Sequence, residues 1–194
     1  MNTVRNTVIA GLLVAGITAT SASAGTLTYQ GVTFTSNWSG NVLSLEIDAA
    51  NPTGDWLTAT TLGALQIKDI GTFDSVSLTS APGDAINWTL SSNELTANGC
   101  DGGAHVGQSL CYSGMHVALT DNMMFQFTFT GTNTNFTSPH LKVEMFNGAG
   151  GDKVGSLLSQ NIPAAPVPEP DTYALMFGGL AALAALARRR KDRG

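Results

Sequence analysis

Charge is scarce in this sequence, and basic charge is almost absent from its middle. Charged residues make up 12% of the 194 residues, against about 25% in a typical soluble domain. Residues 25–166 contain three lysines, no arginine and eleven acidic residues, which gives a net charge of −8. A body of that charge repels phosphate backbones, so binding to nucleic acid is disfavoured.

Familiar catalytic motifs are also missing. The sequence has no G-x-S-x-G, no H-E-x-x-H, no P-loop and no dinucleotide-binding fingerprint. The histidines are scattered, at His105, His116 and His140, and no spacing favours a Ser-His-Asp triad. We therefore expect no catalytic residue and a non-enzymatic protein. Paired carboxylates for glycoside hydrolysis, drawn from the eleven acids, are the alternative.

Apolar runs dominate only the two ends of the chain. Near the N-terminus, Arg5 precedes the ten-residue apolar run Val8–Ile17, and the small residues Ala22 and Ala24 follow it. A positive residue, an apolar core and an A-x-A signal in this order predict a secretory signal peptide over residues 1–24. Cleavage is expected after Ala24.

The C-terminal run, Tyr173–Ala187, is apolar on every side. As a helix it is about 22 Å long, shorter than the roughly 30 Å hydrocarbon core of a bilayer. Four basic residues follow at once and can reach lipid headgroups: Arg188, Arg189, Arg190 and Lys191. The pattern predicts a short transmembrane helix over 172–187, a cytoplasmic tail over 188–194 and an exported body.

The residues around this run resemble a known sorting signal. Val167-Pro168-Glu169-Pro170, a short apolar helix and a terminal arginine cluster, together spanning Val167 to Arg193, resemble the PEP-CTERM protein-sorting signal. The resemblance implies an exosortase as partner and a precursor anchored in the inner membrane of a Gram-negative bacterium. It implies delivery to the cell surface or matrix, and association with exopolysaccharide, biofilm and floc formation. The exosortase would read Pro168, Glu169 and Pro170, which lie in a Pro-rich linker over 163–171.

The body, residues 25–162, alternates apolar and polar side chains repeatedly. The clearest case sets Met123, Phe125, Phe127 and Phe129 against Met124, Gln126, Thr128 and Thr130. About nine such strands are separated by turn sequences, and no segment has an amphipathic helical pattern. One buried and one Thr-rich wet face per strand predict an all-β, antiparallel β-sandwich of jelly-roll or immunoglobulin-like type.

The predicted strands include Leu27–Phe34 and Val154–Leu158. Two others carry apolar residues on one face: Ile86, Trp88 and Leu90 in the first, and Met115, Val117 and Leu119 in the second.

Cys100 and Cys111 are the only cysteines. An even number in an exported chain indicates a disulfide, and a metal site that includes His105 is the alternative. We expect no cofactor. A Ca²⁺ site is the rival hypothesis, because hard oxygen ligands cluster in two loops: Asp48, Asn51 and Asp55 in one, Asp69 and Asp74 in the other.

Tryptophans provide the other functional hint. Trp38 and Trp56 lie in loop-like sequence beside Gly, Ser, Asn and Asp, where exposed indoles can stack on sugar rings. Trp88 alternates with apolar residues and is predicted to be core, and the alternative is that all three are core residues. Two functions follow: a non-enzymatic surface or matrix protein associated with exopolysaccharide, or a secreted carbohydrate-binding, calcium-dependent or carbohydrate-active protein.

Overall fold

The described residues of the body form ten strands in two antiparallel sheets. The computed structural model describes residues 24–104, 108–131, 138–164 and the helical positions 176, 179 and 180. The strands are β1 (Ala24–Tyr29), β2 (Val32–Ser39), β3 (Val42–Asp48), β4 (Thr61–Lys68), β5 (Ser75–Ser80), β6 (Thr89–Ser91), β7 (Ser109–Ala118), β8 (Met123–Thr130), β9 (His140–Phe146) and β10 (Leu158–Asn161). Two short 3₁₀ helices cover Gly54–Trp56 and Gly83–Asn87.

Each sheet has five strands. Sheet 1 has the order β1-β2-β3-β8-β5, and sheet 2 has the order β10-β9-β4-β7-β6. Every pairing between these strands is antiparallel. The prediction of an all-β body with antiparallel sheets is confirmed over the described residues.

One hydrophobic core fills the space between the sheets. Phe125 and Phe127 on β8 project from sheet 1, and both are 0% exposed. Their rings contact Trp88 at 5.8 Å and Tyr112 on β7 at 5.6 Å between centroids. Burial of such a side chain stabilises the fold by about 1.5–3 kcal/mol, so the inward half of each alternating strand fixes the sandwich.

The predicted strand Leu27–Phe34 is in fact a hairpin. Gln30 and Gly31 have φ angles of 49° and 75°, which allow a two-residue turn between β1 and β2. The prediction of one continuous strand is wrong because Gln30 is not a residue that signals such a turn.

Two further strand predictions are wrong in detail. Ile86 belongs to the second 3₁₀ helix and Leu90 to the short β6, and both are exposed, while Trp88 alone is buried. Met115 is 71% exposed. Its strand meets β4 at a register irregularity between Leu62 and Ala64, and such a bulge shifts the alternation of side chains.

The last strand begins later than predicted. Val154 is buried, but Gly155 has a φ of 64°, a left-handed conformation that interrupts extended structure. The strand β10 therefore starts at Leu158 rather than at Val154.

The predicted terminal segments, including most of the transmembrane helix over 172–187, lie outside the described residues. The signal peptide apart from Ala24, the PEP motif and the basic tail lie outside the described residues. Within the part of the chain that the structure describes, no helix is long and apolar enough to cross a membrane.

Candidate functional sites

The outward side of sheet 1 is a surface rich in hydroxyl and amide groups, here called the hydroxyl face. Its residues alternate with the buried core residues of the same strands, and all are at least partly exposed. They are Thr26, Thr28, Thr33, Thr35, Asn37, Ser39, Ser44, Ser75, Ser77, Thr79, Gln126, Thr128 and Thr130. Charged side chains are few on this face: Glu46 and Asp48 lie on β3.

The register lines these groups up across strands. Thr26 pairs with Thr35, and Thr28 pairs with Thr33, on β1 and β2. The hydroxyls of Thr28 and Thr33 are 3.1 Å apart. Because neighbouring strands lie about 4.8 Å apart, the sheet presents rows of hydroxyl groups at regular spacing.

The outward side of sheet 2 is covered rather than open. Residues 92–104, here called the covering segment, lie across it and are tied to β7 by a disulfide between Cys100 and Cys111. Leu95 of this segment packs with Ala64 and Cys111 in a small separate apolar cluster. The predicted disulfide is confirmed, and β4 is buried on both sides from Thr61 to Ile67.

Polar side chains of sheet 2 hold the covering segment in place. Gln66 is 0% exposed. It accepts a hydrogen bond from Leu95 N at 3.0 Å and lies within hydrogen-bond distance of Ser109 Oγ. Glu94 forms ion pairs with Lys68, at 3.3 Å, and with Lys142. Gln66, Lys68 and Lys142 lie on the side of their strands that the alternation of apolar and polar residues predicts to be wet, and that prediction misses the covering segment.

A cavity of about 390 Å³ lies between the covering segment and sheet 2, here called the Glu144 cavity. Its lining includes the tip of the covering segment at Asn98 and Gly99, Ser113 on β7, and Glu144 on β9. Glu144 is 1% exposed, and neither of its carboxyl oxygens has a hydrogen-bond partner within the described ranges. An unpartnered buried carboxyl group is costly.

Two aromatic rings form one wall of this cavity. His116 on β7 and Phe146 on β9 stack with their ring centroids 4.0 Å apart. They meet above Gly63 on the intervening strand, where a Cβ would lie 2.5 Å from Phe146 Cε2 and 2.7 Å from His116 Cδ2. Only glycine leaves room for this stack, which explains a glycine inside a central strand.

Burial raises the pKa of the Glu144 carboxyl above its ordinary value. Lys153 acts in the opposite direction by attraction, and Asp101 adds a smaller upward contribution by repulsion. Desolvation is the largest of the three causes, because burial disfavours the charged form of a carboxyl group.

A row of polar side chains lies at the β9–β10 edge of sheet 2. His140 Nε2 is 2.9 Å from Ser159 Oγ, and His140 Nδ1 is 2.6 Å from Asn161 Oδ1. This is the order of a nucleophile, a base and an orienting group. None of these three residues lines the Glu144 cavity.

Trp38 and Trp56, the predicted sugar-stacking residues, are buried. Trp38 is 5% exposed on β2, and Trp56 is 0% exposed in the first 3₁₀ helix. Trp56 donates a hydrogen bond from Nε1 to Ser156 O at 3.1 Å and contacts the ring of Tyr29. The prediction of exposed indoles is wrong, and the alternative that all three tryptophans are core is correct.

The five residues proposed as calcium ligands stay a hypothesis. Asp48, Asn51, Asp55, Asp69 and Asp74 are all exposed. Over the described ranges, no group of three or more His, Cys, Asp or Glu side chains is placed to hold a metal ion. His105, the alternative metal ligand, lies outside those ranges, and both cysteine sulfurs are used in the disulfide.

Comparison with known proteins identifies the C-terminal segment. The family model described as the PEP-CTERM protein-sorting motif matches residues 166–191. That range includes the predicted recognition residues Val167, Pro168, Glu169 and Pro170 and the basic cluster Arg188, Arg189, Arg190 and Lys191. No curated protein and no solved structure matches the chain.

Proposed function

We propose a matrix function for this chain, which carries a PEP-CTERM protein-sorting motif and is an exported protein sorted by exosortase. Its β-sandwich works in the extracellular matrix. In this proposal the body is a non-enzymatic protein that associates with exopolysaccharide and supports biofilm or floc formation. The inner-membrane anchor over 172–187 is transient, and processing near Pro168-Glu169-Pro170 delivers the body to the cell surface.

The sorting motif is the single observation that carries this proposal. The hydroxyl face supports it, because a surface rich in hydroxyl and amide groups offers donors and acceptors to a polymer of sugar hydroxyls. The net charge of −8 over residues 25–166 favours a neutral polymer, since an acidic polysaccharide would be repelled.

A deletion strain tests the proposal. Complementation with the full chain should restore floc and exopolysaccharide retention. Complementation with a chain carrying Pro168→Ala, Glu169→Ala and Pro170→Ala should leave the body in the membrane fraction and floc unrestored. A matched chain with Pro163→Ala, outside the matched motif, should behave as wild type. Normal floc in the deletion strain would contradict the matrix role.

A further inference from the structure

The Glu144 cavity contains a buried carboxyl group whose oxygens have no hydrogen-bond partner among the described residues. Neither oxygen of Glu144 accepts a hydrogen bond, and each exposes less than 1 Å². Of the three lysines in the body, Lys68 and Lys142 pair with Glu94. Lys153 attracts Glu144 but forms no ion pair with it among the described residues.

The surroundings add to this negative character. Asp101 of the covering segment is a second acidic group near Glu144. The stacked rings of His116 and Phe146 form a wall, and the face of a phenylalanine ring attracts cations. A neutral hydroxyl compound could bond the carboxylate but would leave its charge uncompensated, whereas a cation satisfies both requirements.

We propose that the Glu144 cavity binds a small ligand through a primary ammonium group, with Glu144 as its ion-pair partner and the His116–Phe146 pair as its aromatic wall. This goes beyond the proposed matrix function and does not depend on it. The ammonium group can belong to an amino-sugar unit or to a free amine, since both present the same cation. The cavity volume of about 390 Å³ falls within the range of small-molecule sites.

Access to the carboxylate lies at the tip of the covering segment. Ala97 and Asn98 are exposed there, and Asn98 and Gly99 line the cavity. The backbone hydrogen bonds of this turn join Thr96 and Gly99 to each other, at 2.9 and 3.4 Å. Because these two bonds lie within the turn, a displacement that breaks them leaves the strand ladder and the disulfide in place.

Calorimetric titration of the purified full-length chain tests the proposal with three probes. Glucosamine carries the ammonium group on a sugar ring, N-acetylglucosamine keeps the ring but lacks the charge, and 1,4-diaminobutane carries the charge without the ring. We expect glucosamine, diaminobutane or both to bind and N-acetylglucosamine not to bind. The binding of one amine alone assigns the source of the cation. Equal binding of glucosamine and N-acetylglucosamine, or no binding by either amine, would overturn the proposal.

Three variants test whether amine binding depends on the Glu144 cavity or on the rest of the surface. Glu144→Gln keeps the shape of the side chain and removes its charge, and it should weaken amine binding by about tenfold or more. Glu46→Gln removes a carboxylate from the hydroxyl face and should leave binding unchanged. Phe146→Leu, which keeps an apolar side chain but removes the ring, should weaken binding less than Glu144→Gln. Unchanged affinity in a folded Glu144→Gln variant, checked by its thermal melt, would refute the assignment.

Discussion

The two outward faces of the sandwich are formed by strands with similar alternating patterns, but one face is open to solvent and the other is covered. On sheet 1 the polar residues of each strand face solvent, and they are mainly threonine, serine, asparagine and glutamine. On sheet 2 the corresponding positions include Gln66 and Glu144, which are 0% and 1% exposed. The difference arises from the covering segment, which crosses sheet 2 and has no counterpart among the described residues on sheet 1.

One disulfide accounts for the order of the covering segment in this small exported domain. The covering segment is rich in glycine and asparagine and contributes a single fully buried apolar side chain, Leu95. Such a segment buries too little apolar surface to order itself. Its attachment at Cys100 lets polar contacts to Gln66, Lys68 and Lys142 complete the ordering, and the Glu144 cavity exists only beneath it.

Removal of the disulfide should have the largest effect. The variant with Cys100→Ser and Cys111→Ser should lose about 3 kcal/mol of unfolding free energy, because the cross-link closes a loop with a sequence separation of 11. Denaturant unfolding measures this loss. Hydrogen exchange should show lost protection at Leu95 N and retained protection across β2 and β3. Equal loss on both sheets would contradict the division between the faces.

The second prediction concerns the polar anchor of the covering segment. Gln66→Ala should cost about 1–3 kcal/mol, since it leaves the buried Leu95 N–H without its acceptor. Gln126→Ala is the matched control on the hydroxyl face and should change stability by no more than about 0.5 kcal/mol. Similar losses for the two variants, measured by urea unfolding, would show that the two faces are energetically alike.

The third prediction concerns Glu144 and its dependence on pH. Burial raises the pKa of Glu144 in the folded state, so the unfolded chain ionises first as pH rises. The neutral carboxyl therefore contributes fully to folding stability below its ordinary pKa of 4.5. This contribution is lost as pH rises through the pKa of the folded state. His116 lines the same cavity, and Lys153 and Asp101 act on Glu144 through their charges, so all three are kept unchanged in the variant below.

Glu144→Gln should remove this part of the pH dependence. The variant should be more stable than wild type at neutral pH, by less than the Gln66→Ala effect, and the advantage should shrink as pH falls towards 4.5. The difference between the two melting curves, recorded at several pH values, isolates the one group. A difference that does not vary with pH would mean that Glu144 is compensated in the folded protein.

Sequence predicted the class of fold because burial on sheet 1 follows a strict period of two, as in Phe125, Phe127 and Phe129. It also predicted the disulfide, which depends only on cysteine number and export. It failed at Gln30, Gly83–Asn87 and Met115, where a turn, a 3₁₀ helix and a bulge interrupt the period. Gln66 and Glu144 could not be predicted as buried, because their cover comes from a distant segment without a pattern of its own.

Loss of two hydroxyl groups from the hydroxyl face should have the smallest effect on stability and a large effect on polysaccharide binding. Thr26 and Thr35 are opposite each other on β1 and β2 of the hydroxyl face. Valine keeps the shape and strand preference of threonine, so Thr26→Val with Thr35→Val should change stability by about 0.5 kcal/mol or less. Because the hydroxyl groups are lost, retention of the chain on exopolysaccharide isolated from the producing strain should fall. Ser92→Ala, which removes an exposed hydroxyl on the covering segment, should leave retention unchanged. If the two variants are retained equally, polysaccharide contact does not depend on the hydroxyl face, and the open side of the sandwich loses its assigned role.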